Sequence, residues 1–361
     1  MKRVIKPTDK KPRLLYIDLI RVVATFLIIL HHLHFHFLDF KLFTSETLWK
    51  NNFLNLSLGD IGVSLFIFIS GLGLVLSLNN KKFKIKEFYK KRVLRIYPDF
   101  LIAYFFFFAW YQLKNYFPNN IKIPNFILSL TGLDTYLTSF FSFISYSFFD
   151  WFIGFILILY LIFPLLYYIY KKDQRLLLLL ATLLLSLTLY FSDGQINLRH
   201  FTLRILEFSL GMCYAKFAFD HNIKKRLYVL AFSSMALFSF INTPSPIFII
   251  IRFILLDFIL IETSYFIGKI LANLPKFSKI ITYLASISYL VFLLQHQMII
   301  RIMGDLFLLN KPFAYPVFMS PLLFQSVLIT LTIVAVAVLL STITKATTKT
   351  IESINCKLVK N

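Results

Sequence analysis

Arg21 and His32 stand eleven positions apart in an otherwise apolar stretch, Leu14–Leu38. At about 100° per residue a helix turns about 1100° over that interval and returns to within about 20° of the same face. Asp18, Thr25, His36 and Asp39 fall within about 60° of that direction. One helix therefore carries a polar stripe while its other faces are Leu, Ile, Val and Phe. An imidazole titrates near neutral pH and can take a proton from a weak nucleophile such as a hydroxyl. Arg21 supplies a permanent cation. At about 1.5 Å rise per residue the two lie about 16 Å apart along the axis, two levels of one buried path rather than a direct pair.

Plainer readings exist for the same residues. Asp18 and Arg21, at i and i+3, can simply neutralise each other. His31 and His34 leave the stripe and read as structural. No metal is expected, because His32 and His36 are the one i, i+4 histidine pair and no carboxylate or thiolate ligand sits beside them. Further along, Arg204 and Glu207 are again at i and i+3, either as a site or as a structural ion pair. Arg252, Asp257 and Glu262 are five apart, so successive members diverge by about 140° and need partners on other helices. His296 and Arg301, with Gln295 and Gln297, read as a second polar site.

These side chains need helices in an apolar solvent to hold them. Of 361 residues, 58% are hydrophobic and 15% charged, against about 45–50% and about 25% in soluble chains. The 43 Phe and 19 Tyr are more than the interior of a soluble fold of this size can take in. The fold class is all-α, a multi-span transmembrane bundle. A bilayer core about 30 Å thick asks for about 20 apolar residues per helix. Ten stretches qualify: Leu14–Leu38, Leu58–Leu78, Asp99–Phe117, Trp151–Tyr170, Leu176–Phe191, Thr202–Phe219, Leu227–Ile241, Ile247–Ile267, Ile281–Met303 and Pro321–Ile343. In such spans an ionisable residue is a functional candidate by default. The one long connection, Pro118–Asp150, is aromatic and Ser-rich, as in Phe140-Phe141-Ser142-Phe143, and reads as membrane-hugging or re-entrant.

A net charge of +21 would suit a nucleic-acid binder, but its distribution excludes that class. Counted over alternate connections, with Lys114 at the end of the third stretch taken with the connection that follows it, 27 Lys and Arg fall on one side and 6 on the other, with 5 inside the spans. Cytoplasmic loops collect positive charge during insertion, so both termini are expected inside. Residues 1–13 form a basic cytoplasmic N-terminus, 14–343 a ten-span core and 344–361 a basic cytoplasmic tail. Leu14–Leu38 is not a cleaved signal, since it carries Asp18 and Arg21, exceeds a typical signal core and ends in Phe37-Leu38-Asp39. Cys213 in an apolar run and Cys356 in the tail exclude a disulfide-stapled secreted domain.

Six phrases occur in order on these spans. They are Tyr16-Ile17-Asp18-Leu19-Ile20-Arg21-Val22-Val23-Ala24 followed by His31-His32; Gly62 to Ser70-Gly71; Phe88 to Pro98, with Arg92-x-x-Arg95; Trp151-Phe152-Ile153 through Tyr160 to Pro164; Arg204 to Gly211; and Ser288-Tyr289 through Gln295-His296. Together they resemble the membrane acyltransferase-3 family, over nearly all of Leu14 to Ile343. Two departures stand out. Ile156 occupies a place where many sugar-acetylating members carry Glu, so that carboxylate's role does not carry over. Gln295 separates His296 from the Leu pair. No esterase-like domain is appended, so the core is expected to handle the acceptor alone.

The resemblance implies transfer of an acyl group, usually acetyl, from cytoplasmic acyl-CoA to an outward-facing carbohydrate at the bacterial cytoplasmic membrane. Acyl-CoA is then a donor substrate, with no bound cofactor. The partners are the bilayer and a cell-surface glycan or lipid-linked saccharide. His32 is the implied base, whether by direct general-base transfer or through an acyl-His32 intermediate. Arg21 would stabilise the oxyanion or hold the thioester carbonyl. Eight basic residues lie between Lys81 and Arg95. Arg92 and Arg95 can clamp donor phosphates, whereas Lys81, Lys82, Lys84 and Lys86 fit ordinary positive-inside anchoring. Trp151 can stack on an acceptor sugar, and Arg204, Glu207 and His296 belong to an acceptor or structural site. Ser70-Gly71 fits close helix packing. A secondary transporter would also bury Arg, Glu and His, but would show inverted repeats and interrupted helices; no such self-similarity is visible. A polysaccharide-export subunit would co-purify with a synthase or flippase and transfer nothing alone.

Overall fold

A computed structural model describes residues 14–39, 51–78, 82–116, 120–192, 197–241, 243, 245–308 and 321–358. The basic N-terminus 1–13, Lys41, Lys50, Lys81, Lys311 and residues 359–361 lie outside the described residues. In chain order the elements are α1 (Leu15–Asp39), the hairpin β1 (Asn52–Phe53) and β2 (Leu56–Ser57), α2 (Leu58–Leu78), α3 (Ile85–Leu113), α4 (Ile123–Thr131), α5 (Asp134–Leu137), α6 (Phe152–Lys172), α7 (Gln174–Phe191), α8 (Phe201–Tyr214), α9 (Ile223–Phe240), α10 (Pro246–Ala272), α11 (Pro275–Leu308) and α12 (Pro321–Leu358).

Each predicted apolar stretch falls on a helix. Among the described residues seven helices, α1, α2, α3, α6, α7, α11 and α12, are long and apolar enough to cross a membrane. The expected count of ten also includes three others. Of these, α8 has 14 residues, α9 opens with Lys224, Lys225 and Arg226, and α10 carries Arg252, Asp257 and Glu262 along its length.

Two boundaries differ instructively from the sequence expectation. Hydropathy predicts a third span from Asp99, yet α3 starts at Ile85 and runs through Pro98. Apolar content reports only the part of a helix that needs lipid, while this helix continues into its basic end. The sixth span is predicted to reach Phe219, but α8 stops at Tyr214. Beyond it the buried Arg226 guanidinium donates to the carbonyls of Phe217, Ala218 and Asp220 at 3.1, 3.3 and 2.8 Å. These carbonyls find their donor there instead of in a continuing helix. The same guanidinium pairs with Glu262 at 2.9 Å and stacks over Tyr265, so charges from α9 and α10 satisfy each other out of water.

The central helix is α1, packed against α2, α10 and α11. The α2–α8 crossing is made by reciprocal glycines. A Cβ at Gly71 would fall on the Phe208 carbonyl oxygen, and one at Gly211 on the Phe68 carbonyl oxygen. The small residue at Gly71 thus allows backbone-to-backbone approach, as Ser70-Gly71 leads one to expect. Large apolar side chains such as Phe232, Met235 and Phe238 of α9 face outward, which suits a lipid solvent.

Residues 120–150 of the 118–150 connection are folded around Asp134. This buried carboxylate accepts from the hydroxyls of Ser129 and Ser145. Tyr104 of α3 donates to the Tyr146 carbonyl at 3.0 Å. Phe148 lies 5.1 Å from the Tyr104 ring and Phe149 5.1 Å from that of Phe100. Aromatic rungs on α3 thereby hold the extended segment that ends at Asp150, immediately ahead of α6. α4 turns Ile123 and Ile127 outward.

Candidate active site

The polar stripe of α1 faces α11, which sets His296 beside His32 with ring centroids 4.5 Å apart and an interplanar angle of 23°. His32 Nδ1 lies 3.1 Å from the Ile28 carbonyl oxygen one turn earlier. A carbonyl only accepts, so Nδ1 carries the proton and Nε2 keeps its lone pair. That Nε2 lies 3.6 Å from Asp150 Oδ2. The other carboxylate oxygen, Oδ1, accepts from His296 Nδ1 at 2.5 Å. Asp150 thus touches both imidazoles, one through each oxygen. Burial alone would push its carboxyl up, but His296 and His32 outweigh burial and hold it down at about 2. It is a carboxylate at neutral pH.

His36 completes an imidazole row, 5.2 Å from the His296 ring, with its Nδ1 3.3 Å from Asp39. The row lines a cavity of about 310 Å³ together with Trp151 and Arg199. His31 also reaches that cavity, but its Nδ1 is 3.1 Å from Asn51 Oδ1 and its ring fills the space beside Gly59, a structural role. His34 is not among the lining residues.

A second cavity, of about 220 Å³, lies toward the other end of α1. Three guanidinium groups line it: Arg21, Arg92 and Arg95, with Tyr160, Ser288 and Tyr289. Arg21 is bound to Asp18 at 3.0 Å and remains about a third exposed. Arg92 lies over the rings of Phe88 and Tyr160 at 5.8 and 6.0 Å, and its buried Nε has no hydrogen-bond partner among the described residues. Phe152 and Phe292 line both cavities. Arg21 and His32 therefore open into separate chambers divided by an aromatic layer, where the stripe alone suggests one continuous path.

His296 joins His32 instead of forming a second site. Its former neighbours Gln297 and Arg301 bond to the Tyr111 hydroxyl, at 2.5 and 2.6 Å. Arg204 and Glu207 are fully buried, paired at 3.0 Å, and line neither cavity. Arg204 also donates to the Asp60 carbonyl at 3.3 Å, so this pair braces the wall that Asp60 contributes to the histidine cavity. Asp257 accepts from Ser64 of α2 at 2.8 Å, and Glu262 takes Arg226 of α9, as their diverging directions require. Trp151 lines the histidine cavity edge-on to Phe155 at 5.5 Å.

Asp150 is the residue that sequence reasoning missed. Its one signal was position, directly before the phrase beginning at Trp151. Its presence also corrects the premise that no carboxylate sits beside the histidines. His32, Asp150 and His296 offer ligand atoms within 4.8 Å of one another, a two-imidazole, one-carboxylate set able to hold a transition metal. Their present hydrogen bonding is that of a carboxylate orienting imidazole.

A protein family described as "Acyltransferase domain" matches residues 14–344. No curated protein matches the chain, and no solved structure does.

Proposed function

The chain belongs to that acyltransferase family, and from this premise we propose that it is a membrane O-acyltransferase moving an acyl group, acetyl first among candidates, from cytoplasmic acyl-CoA to an extracytoplasmic carbohydrate at a bacterial inner membrane. A sugar hydroxyl enters the histidine cavity and is oriented by stacking on Trp151. Its oxygen attacks the thioester carbonyl as its proton passes to His32 Nε2. The carbon–sulfur bond breaks, the CoA thiolate leaves, and the imidazolium returns the proton to it. Asp150 stabilises the imidazolium while it exists and keeps His296 in its tautomer. Arg92 and Arg95 hold the donor's phosphates. Arg21 stands on the same side of the aromatic layer and holds the donor near its thioester, not the oxyanion that forms beside His32.

One observation carries this reading. His32 Nε2, which keeps its lone pair, lies 3.6 Å from the Asp150 carboxylate in the wall of a cavity that both residues line, and that cavity adjoins a guanidinium-lined one across Phe152 and Phe292. The test is transfer of label from acetyl-CoA into the saccharide fraction of membranes bearing the full chain. His32→Ala is expected to lower transfer by about 10²–10⁴-fold at unchanged protein level. Transfer at the wild-type rate would remove His32 from the mechanism.

A further inference from the structure

The two cavities abut at a wall one ring thick. Phe152, at the start of α6, and Phe292, on α11, meet edge-to-face with centroids 5.3 Å apart and an interplanar angle of 70°. Phe66 of α2 closes the group, 6.3 Å from Phe152 and 6.2 Å from Phe292. Rings at these separations are in van der Waals contact with one another. The guanidinium groups lie on one side and the imidazoles on the other. The donor's anionic body is drawn to the first side while the proton acceptor waits on the second. Only the acyl end needs to cross, and it crosses by displacing an aromatic ring.

We infer that Phe152 and Phe292 set the length of the acyl group this protein transfers, admitting two carbons and rejecting four. The inference rests on the acyltransferase reading above and deepens it. A methyl beside the carbonyl needs little more space than the carbonyl itself. Each further methylene must find room among Phe66, Phe152 and Phe292, which already touch one another. Close-packed interiors resist such insertion. Phosphate and pantetheine contacts lie on the guanidinium side and do not sense chain length. The discrimination therefore falls on kcat, with KM for acyl-CoA nearly constant.

The experiment uses membranes bearing the full chain and labelled acetyl-, propionyl- and butyryl-CoA, with label counted in the endogenous saccharide fraction. In the wild type, kcat should fall by about 10- to 200-fold for each added methylene, with KM unchanged. Phe152→Ala and Phe292→Ala should raise the butyryl-to-acetyl ratio of kcat by at least about 10-fold. Should either alanine variant fail to accumulate, Phe152→Leu and Phe292→Leu keep most of the volume and should shift the ratio in the same direction by a smaller factor. A wild type that transfers butyryl as fast as acetyl overturns the inference and leaves the acyltransferase reading intact. So do folded variants with the wild-type ratio. Absence of label from every acyl-CoA would remove that reading, and this inference with it.

Discussion

Asp150 contacts two imidazoles through two different oxygens, and the consequence is a unit rather than a lone base. His296 Nδ1 is bound at 2.5 Å, while His32 Nε2 stays at 3.6 Å, close enough to stabilise an imidazolium without occupying the lone pair beforehand. Asp150→Asn keeps the size and an accepting oxygen for His296 but removes the charge. Transfer should fall by about 10²–10⁴-fold, while KM for acyl-CoA stays unchanged because in the proposed mechanism the donor is held across the aromatic layer. Combined with His32→Ala, the loss should be no larger than for His32→Ala alone, since members of one unit are not additive. A multiplicative loss would mean that Asp150 acts apart from His32. Because the carboxyl is held at about 2, below its ordinary 3.8, it stays ionised throughout the neutral and mildly acid range. Asp150 therefore contributes nothing to rate changes between pH 5 and pH 8, measured as kcat against pH. At this scale Arg21 and His32 were legible because helical periodicity alone puts them on one face. Asp150 was not, since an irregular connection gives a side chain no periodic address.

Among the elements, the α2–α8 crossing bears most directly on the site. α2 contributes Asp60 and Val63 to the histidine cavity and Ser70 and Gly73 to the other. Its distance from α8 is set by Gly71 and Gly211, each beneath a carbonyl oxygen of the opposite helix. Backbone cannot swing aside as a flexible side chain does. Gly71→Ala must therefore push the helices apart and cost about 1–3 kcal/mol or more. Thermal unfolding in detergent should show a lower midpoint, and size-exclusion chromatography less folded protein. Gly73→Ala is the internal control. A Cβ there meets only the Arg21 guanidinium at 4.0 Å, so stability should change little. Equal losses at both positions would mean that the crossing does not limit packing. The glycine contact could be anticipated from small residues in a span, whereas the extent of α3 could not. Its first turns are basic and amphipathic, and no apolar count distinguishes them from a loop. The helical form matters because it sets Arg92 and Arg95 three residues apart on one face, opening into one cavity.

For the whole molecule, separation of charge matches separation of chemistry. The guanidinium cavity lies at the end of α1 that begins at Leu15, near the basic start of α3, and the imidazole cavity at the other end, near Asp150. Between the two cavities stand the apolar rings of Phe66, Phe152 and Phe292, the layer that the proposed transfer has to cross. The proposed reaction requires the basic end to face the compartment that holds acyl-CoA, the orientation that the split of 27 against 6 Lys and Arg predicts. Exposed residues at the two ends test it. In a chain with Cys213 and Cys356 changed to Ser, Lys122→Cys in the 118–150 connection should react with a membrane-impermeant maleimide in intact cells. Lys84→Cys, beside the first turn of α3, should react only after permeabilisation. The opposite pattern would place Arg92 and Arg95 outside, where no acyl-CoA reaches them. Their guanidinium groups would then serve some anion other than the donor, and the direction of transfer across the aromatic layer would have to be reversed.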